Sequence, residues 1–238
     1  PITVTSNDAA EGAYMAYEDF RSDSGTDIRP YVPHNWHSEY VYNRLEDTLE
    51  VNGFVLDTTT GNEVLVYRYR PGVGDTAICR LIPETNLEWK NYEFSGTIQK
   101  PDVPEHDTSE VGLTVYDNGD ERYMVVFKDD GVYLQGGKWT TASFQNGMTF
   151  KSGDKIDYLI RVQNAAVGSV ADSVVSITCE VNKNDDDYQT LFDKEEDNTF
   201  QRIVGGTPGV WVDFSRINSG AVGLAPIKVR NASVRKIQ

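Results

Sequence analysis

The closing stretch, residues 220–237, constrains the fold more than any other part of this chain. In it Ile227, Val229, Ala232, Val234 and Ile237 are separated by charged or polar residues. This is the in-out pattern of a strand with one buried face. The alternation slips by one residue near Asn231, a defect that a β-bulge supplies. A glycine-rich approach, a short turn and a final alternating strand fit a β-sandwich whose last strand returns beside its first.

The rest of the chain repeats the theme. Strand-like runs are read at 13–20, 40–44, 49–56, 63–70, 76–82, 89–98 and 110–116. In the second half they fall at 122–127, 131–135, 140–144, 155–162, 174–181, 189–192, 209–214 and 228–236. Between them lie turn formers such as Asn118-Gly119-Asp120, Asp129-Asp130-Gly131 and Ser152-Gly153-Asp154. No run carries the face of an amphipathic helix, and the Ala-rich segment 164–172 is broken by Val167, Gly168 and Val170. Short strands at this spacing predict an all-β, two-sheet antiparallel jelly-roll sandwich. No linker divides the 238 residues, so one domain over 1–238 is expected. A loop-rich segment is expected at 21–38 and an acidic excursion at 182–198.

Charge and cysteine content narrow the functions. A formal net charge of −15 repels polyanions at long range, which excludes nucleic acid as the expected partner. No apolar run is long enough for membrane insertion by a helix. Cys79 and Cys179 each fall within a strand-like run, and both one disulfide and two buried thiols are compatible with the sequence. A chain starting at Pro1 fits a trimmed secretory precursor or a cytosolic chain without its initiator Met. The expectation leans to a secreted or cell-surface protein. Asn231-Ala232-Ser233 is a short glycosylation sequon.

From Asn91 onward the order of elements carries a resemblance. The segments are Asn91–Ile98, Glu110–Tyr116 with Tyr123–Phe127 and Gly131–Leu134, Gly153–Val162 with Val175–Val181, and Gly220–Leu224 with Val229–Ile237. Together they resemble the concanavalin A-like lectin/glucanase superfamily, in its laminin-G-like and sugar-degrading branches. The resemblance implies that Tyr17–Phe20 pairs beside the C-terminus. It also implies a structural calcium there, with Glu18 or Asp19 as candidate ligands, although the closing strand has no partner carboxylate. The run Asp185–Asp187 is a separate calcium candidate by composition and otherwise a solvated loop.

Three function classes follow. The first is a lectin-like module that binds a polysaccharide or other glycan, stacking aromatic rings on sugar faces; Trp36, Trp89, Tyr133 and Trp139 are its candidate ligand contacts. Trp139, beside Gly136-Gly137-Lys138, is expected to be exposed, whereas Trp211, between Val210 and Val212, is read as facing a sheet interior. The second class is a polysaccharide lyase. Phe127–Gln135 resembles, with one inserted residue, the Phe-Lys-x-Gly-x-Tyr-x-Gln strand of alginate-lyase-like enzymes, which puts Tyr133 in the catalytic tyrosine's place. Tyr67, Arg68, Tyr69 and His37 are the supporting candidates. Glycoside hydrolysis is the weaker enzymatic reading, because the Glu-x-Asp-x-x-Glu spacing occurs only as Glu105–Glu110, in a Pro-rich polar context. The third class is a structural or self-assembling protein, a homo-oligomer paired through the strand-like segment 2–5.

Overall fold

The computed structural model describes residues 89–139, 146–214, 216 and 227–238 in full, together with the backbone of 14–18, 29–30, 36–40, 53–57, 63–67, 78–83 and 144–145. Sixteen strands form two antiparallel sheets, with no α-helix among the described residues. In chain order they are β1 (Tyr14–Glu18), β2 (Arg29–Pro30), β3 (Trp36–Tyr40), β4 (Gly53–Asp57), β5 (Glu63–Tyr67), β6 (Ile78–Pro83), β7 (Tyr92–Gln99) and β8 (Glu110–Asp117). They continue as β9 (Tyr123–Phe127), β10 (Val132–Gln135), β11 (Phe144–Asn146), β12 (Lys155–Val167), β13 (Val170–Lys183), β14 (Gln189–Asp197), β15 (Thr207–Asp213) and β16 (Ile227–Lys236). The nine-stranded sheet runs β14-β13-β12-β7-β16-β5-β4-β2, with β1 also pairing with β16. The seven-stranded sheet runs β11-β10-β9-β8-β15-β6-β3.

The core lies where alternate residues of the two sheets meet. Tyr92, Phe94, Ile156, Tyr158, Ile160, Val175 and Ile177 come from the larger sheet; Val111, Leu113, Val115, Tyr123, Val125, Phe127, Val210 and Val212 come from the smaller. All are buried. Each such side chain contributes about 1.5–3 kcal/mol of transfer free energy. Edge-to-face rings, such as Phe94 with Tyr158 at 5.1 Å between centroids, fill the interior.

The closing strand behaves as its sequence predicts. Ile227 and Val229 face the core, then Ala232 and Val234 do, and the register against β7 shifts between Arg230 and Ser233. Asn231 takes the extra position with φ 53°, exposed at the bulge. Without that residue Ala232 and Val234 would turn to the outside. Tyr17 pairs with Ser233, so the first strand does lie beside the last.

Other expectations need correction. The segment 21–38 is not loop throughout: β2 and most of β3 fall inside it and form the edges of the two sheets. A strand lies at 36–40 and meets the one expected at 40–44 at Tyr40, while 41–44 fall outside the described residues. The acidic segment 182–198 holds a nine-residue strand, β14. It stands at a sheet edge, where exposed carboxylates discourage further pairing. The Ala-rich segment 164–172 is the tip of the β12–β13 hairpin. Cys179 is a buried free thiol of the larger sheet, and Cys79 lies on β6 of the smaller one. The segment 2–5 lies outside the described residues.

Candidate functional site

The outer face of the seven-stranded sheet gathers the polar and aromatic side chains that the core does not use. On β15, Val210 and Val212 point inward at 1% and 0% exposure, so Trp211 between them must point outward. It is half-buried there. The sequence reading of Trp211 as interior is therefore wrong. The flanking valines, not the tryptophan, are the core residues, and strict alternation through 210–212 was the signal that could have found it.

One cross-strand row passes through Trp211 and spans the whole sheet. Register links Gln145 to Tyr133, Tyr133 to Val126, Val126 to Gly112, Gly112 to Trp211, Trp211 to Arg80 and Arg80 to Glu39. Glycine is required in the middle of this row. A Cβ on Gly112 would come within 2.6 Å of Met124 Sδ and 2.9 Å of Trp211 Cε3, so both side chains lie across the bare backbone. From Tyr133 to Trp211 is three strand spacings, about 14 Å.

The neighbouring row carries charge. Glu110 opposes Asp213 in register and accepts from Arg216 Nη1 at 3.0 Å, while Lys128 Nζ lies 3.0 Å from its other oxygen. The Glu110 bond holds the Arg216 guanidinium above its ordinary pKa. Lys128 also sits 5.2 Å from the centre of the Tyr133 ring. Burial, then the Asp130 carboxylate bonded to it, pushes the Tyr133 phenol up, so Tyr133 is neutral at physiological pH. On the other side of the central row, Gln135, Met124 and Thr114 are in register. The Thr114 hydroxyl is buried and has no partner among the described residues.

Of the candidate ligand contacts and lyase residues, only Tyr133 is a described side chain on this face. Trp89 is fully buried, edge-on to Tyr92 at 6.4 Å. Trp139 is 6% exposed, which corrects the expectation of an open ring. The 3-10 turn Gly137–Trp139 folds it inward, edge-on to Tyr123 at 5.9 Å, with Lys138 over its face. Neither ring has a free face for a ligand. Trp36 pairs with Pro83 on β3, and its side chain lies outside the description.

Among the described residues, the positions named for lyase chemistry lie on separate strands. Tyr67 ends β5 in the nine-stranded sheet, whereas Tyr133 belongs to the seven-stranded one; Arg68 and Tyr69 lie outside the described residues. His37 is on β3, five strand spacings from β10, about 24 Å along the sheet. The Glu105–Glu110 spacing does not form one strand either. Glu105 and Asp107 sit in a 3-10 turn at 104–108, and Asp107 accepts the Ser152 N–H at 2.7 Å.

Of the calcium candidates, Glu18 ends β1 and Asp19 follows it in the sequence. Glu18 opposes Ala232, and the adjacent Asn231 and Ser233 bring no carboxylate; Asp19 lies outside the described residues. Asp185 is exposed and paired with Lys155 at 2.6 Å. Among the described residues no three His, Cys, Asp or Glu side chains gather to hold a metal.

No family model and no curated protein matches the sequence. Solved structures do match in fold. The CBM2 module of the evolved Dit of Lactobacillus casei BL23 phage J-1 superposes with a TM-score of 0.55 at 9% identity, over 94% of this chain and 95% of that one. Arcelin-5, a lectin-like defence protein from Phaseolus vulgaris, gives 0.52 at 9% identity, over 86% of this chain and 100% of that one. Xylan β-1,4-xylosidase from Bacillus halodurans C-125 gives 0.52 at 10% identity; 96% of this chain is covered, but it spans only 41% of the enzyme. The fold is an all-β, two-sheet antiparallel jelly-roll sandwich, shared with these structures.

Proposed function

We propose that this concanavalin A-like sandwich is a carbohydrate-binding, lectin-like module that holds a glycan on the outer face of its seven-stranded sheet. The observation that carries this reading is Trp211, a half-buried indole in mid-sheet, laid over Gly112 and directed away from the core. Such a ring is rigid, costs little entropy to order, and offers an apolar face to the C–H side of a sugar. Tyr133 and Gln135 can donate and accept toward hydroxyls around it. The fold-level likeness to a carbohydrate-binding module and a lectin-like protein supports the same class.

Binding fits this face better than turnover. A lyase needs a base, an acid and a charge neutraliser around one sugar carbon. Tyr133 and His37 stand too far apart to share one. Asp130 is bonded to the Tyr133 hydroxyl, and Glu110, on the same side of the row, is already neutralised by Lys128 and Arg216. We place the module in a secreted or surface setting, where polysaccharide is met. The test is a panel of soluble polysaccharides followed by tryptophan fluorescence, with absorbance of unsaturated products recorded in parallel. Saturable quenching without new absorbance supports the proposal. Product formation would show an enzyme instead.

A further inference from the structure

We propose a second ligand site, apart from the sheet face: the cleft between the β8–β9 turn, the β10 exit and the 199–203 loop takes a single uncharged sugar ring. The cleft measures about 350 Å³ and is lined by Asp120, Glu121, Arg122, Gly136, Gly137, Gln201 and Ile203. That volume is in the range of small-ligand pockets. The inference shares the glycan class with the proposed function but depends on none of the face residues.

The walls are built and held. Asp197 is fully buried, and its carboxylate accepts from Tyr123 Oη at 2.9 Å, Lys138 N at 2.9 Å, Thr199 N at 3.0 Å and Thr199 Oγ1 at 2.7 Å. Tyr123 Oη in turn accepts from Ile203 N at 2.9 Å. One buried pair therefore ties the 136–138 turn to the 199–203 loop. The third wall is an Asx turn in which Asn118 Oδ1 accepts from Asp120 N at 3.0 Å and Glu121 N at 2.9 Å. Gly136 and Gly137 have φ of 97° and 50°, and a Cβ on either would collide with Arg122 backbone or the Asp197 carboxylate. Any larger residue there would disrupt the cleft. A site held this way loses little freedom when a ligand arrives.

The lining selects the ligand's charge. Arg122 is occupied: its Nε lies 3.5 Å from Asp117 and its Nη2 donates to the Gly119 carbonyl at 3.3 Å. The side chains of Asp120, Glu121 and Gln201 are exposed at the cleft. Two exposed carboxylates and an amide can accept from hydroxyls, and the carboxylates repel an anionic sugar.

The test is an amide chemical-shift titration of the full chain with methyl glycosides of glucose, galactose, mannose and xylose. A methyl glucuronide and calcium chloride serve as comparison probes. The expected result is saturable shifts at Glu121, Gly136, Gly137, Gln201 and Ile203 with at least one neutral glycoside, and weaker shifts with the glucuronide. Gln201→Ala, an exposed change, should weaken the neutral sugar about tenfold, the value of one lost hydrogen bond. Trp211→Ala should leave these shifts intact. Shifts confined to the sheet face, equal binding of the glucuronide, or calcium alone moving the cleft amides would each overturn the inference. Loss of polysaccharide binding in Trp211→Ala with cleft shifts retained separates the two sites. Cleft shifts in a protein that binds no polysaccharide on its face would leave this site standing while the proposed function fell.

Discussion

Replacing Asp197 by alanine should cost a large part of this protein's stability, and the size follows from its hydrogen bonds. The side chain is wholly buried and serves four donors, from Tyr123, Lys138 and Thr199 (two). After truncation the Thr199 hydroxyl can rotate to another acceptor, but three donors remain unpaired. Bonds to a charged acceptor contribute about 1.5–3 kcal/mol each, and partial hydration of the new space recovers some of the loss. The net expectation is about 4 kcal/mol, from a total that in proteins of ordinary stability is about 5–15 kcal/mol. For a chain of this length that lowers Tm by roughly 8–16 °C. Asp197→Asn keeps the volume and one acceptor, so it should lose about half as much. The pH dependence gives an independent check. Burial alone would push this carboxyl up, but the bonds from Thr199, Lys138 and Tyr123 outweigh it and hold it below its ordinary value. A folded-state pKa below the unfolded one means the contribution is complete above the unfolded value near 4 and disappears as pH falls through the folded one. Urea unfolding at neutral pH and again near pH 3 should therefore show the gap between wild type and Asp197→Ala shrinking in acid. A neutral-pH difference under about 1 kcal/mol would refute the assignment of Asp197 as the tie beneath the cleft.

Gly112→Ala should test the platform without dismantling the sandwich. Its Cβ would press on Met124 and Trp211, costing about 1–3 kcal/mol of stability by overpacking. Polysaccharide affinity should drop several-fold; unchanged affinity would separate Trp211 from the binding face. Lys100 is fully buried, its Nζ donating to the Phe150 carbonyl at 2.7 Å and to that of Asp107 at 3.1 Å. Burial pulls its pKa down to about 8 against nearby carboxylates. Between that value and 10.5 the unfolded chain binds more protons, so stability should rise with pH from about 8 to 10. Above about 10, buried Tyr92 and Tyr158, whose pKa values burial raises, act in the opposite sense. Lys100→Met should flatten the rise in chemical denaturation between pH 8 and 10, and a rise of undiminished slope would assign it to other groups.

The fold was legible because its signals are local. Alternation in 227–237 marks the closing strand and its slip marks the bulge; turn residues bracket the hairpins from Asn91 to Val181. The edges were harder. Trp36–Tyr40 lies close behind two prolines, and its pairing with β6 is long-range, so composition reads as loop. The site was less legible than the fold. A tryptophan in an apolar triplet, Val210-Trp211-Val212, looks like core until one knows which face is inside. A tryptophan beside two glycines looks exposed until Asp197, 59 residues away from Lys138, holds the turn and folds Trp139 inward. Tyr133 was visible through its strand pattern. Its neighbours Gly112 and Trp211 enter only through sheet register, which the local sequence does not specify.

The central claim is that Trp211 forms the floor of a glycan site, and the most direct measurement is a polysaccharide titration of wild type against Trp211→Ala by calorimetry. The ring is half-buried over glycine, so its removal should leave the core strands of both sheets intact by circular dichroism. The proposed site expects affinity to fall at least tenfold for every polysaccharide that wild type binds, with folding unchanged. Equal affinity in a folded Trp211→Ala protein would contradict it.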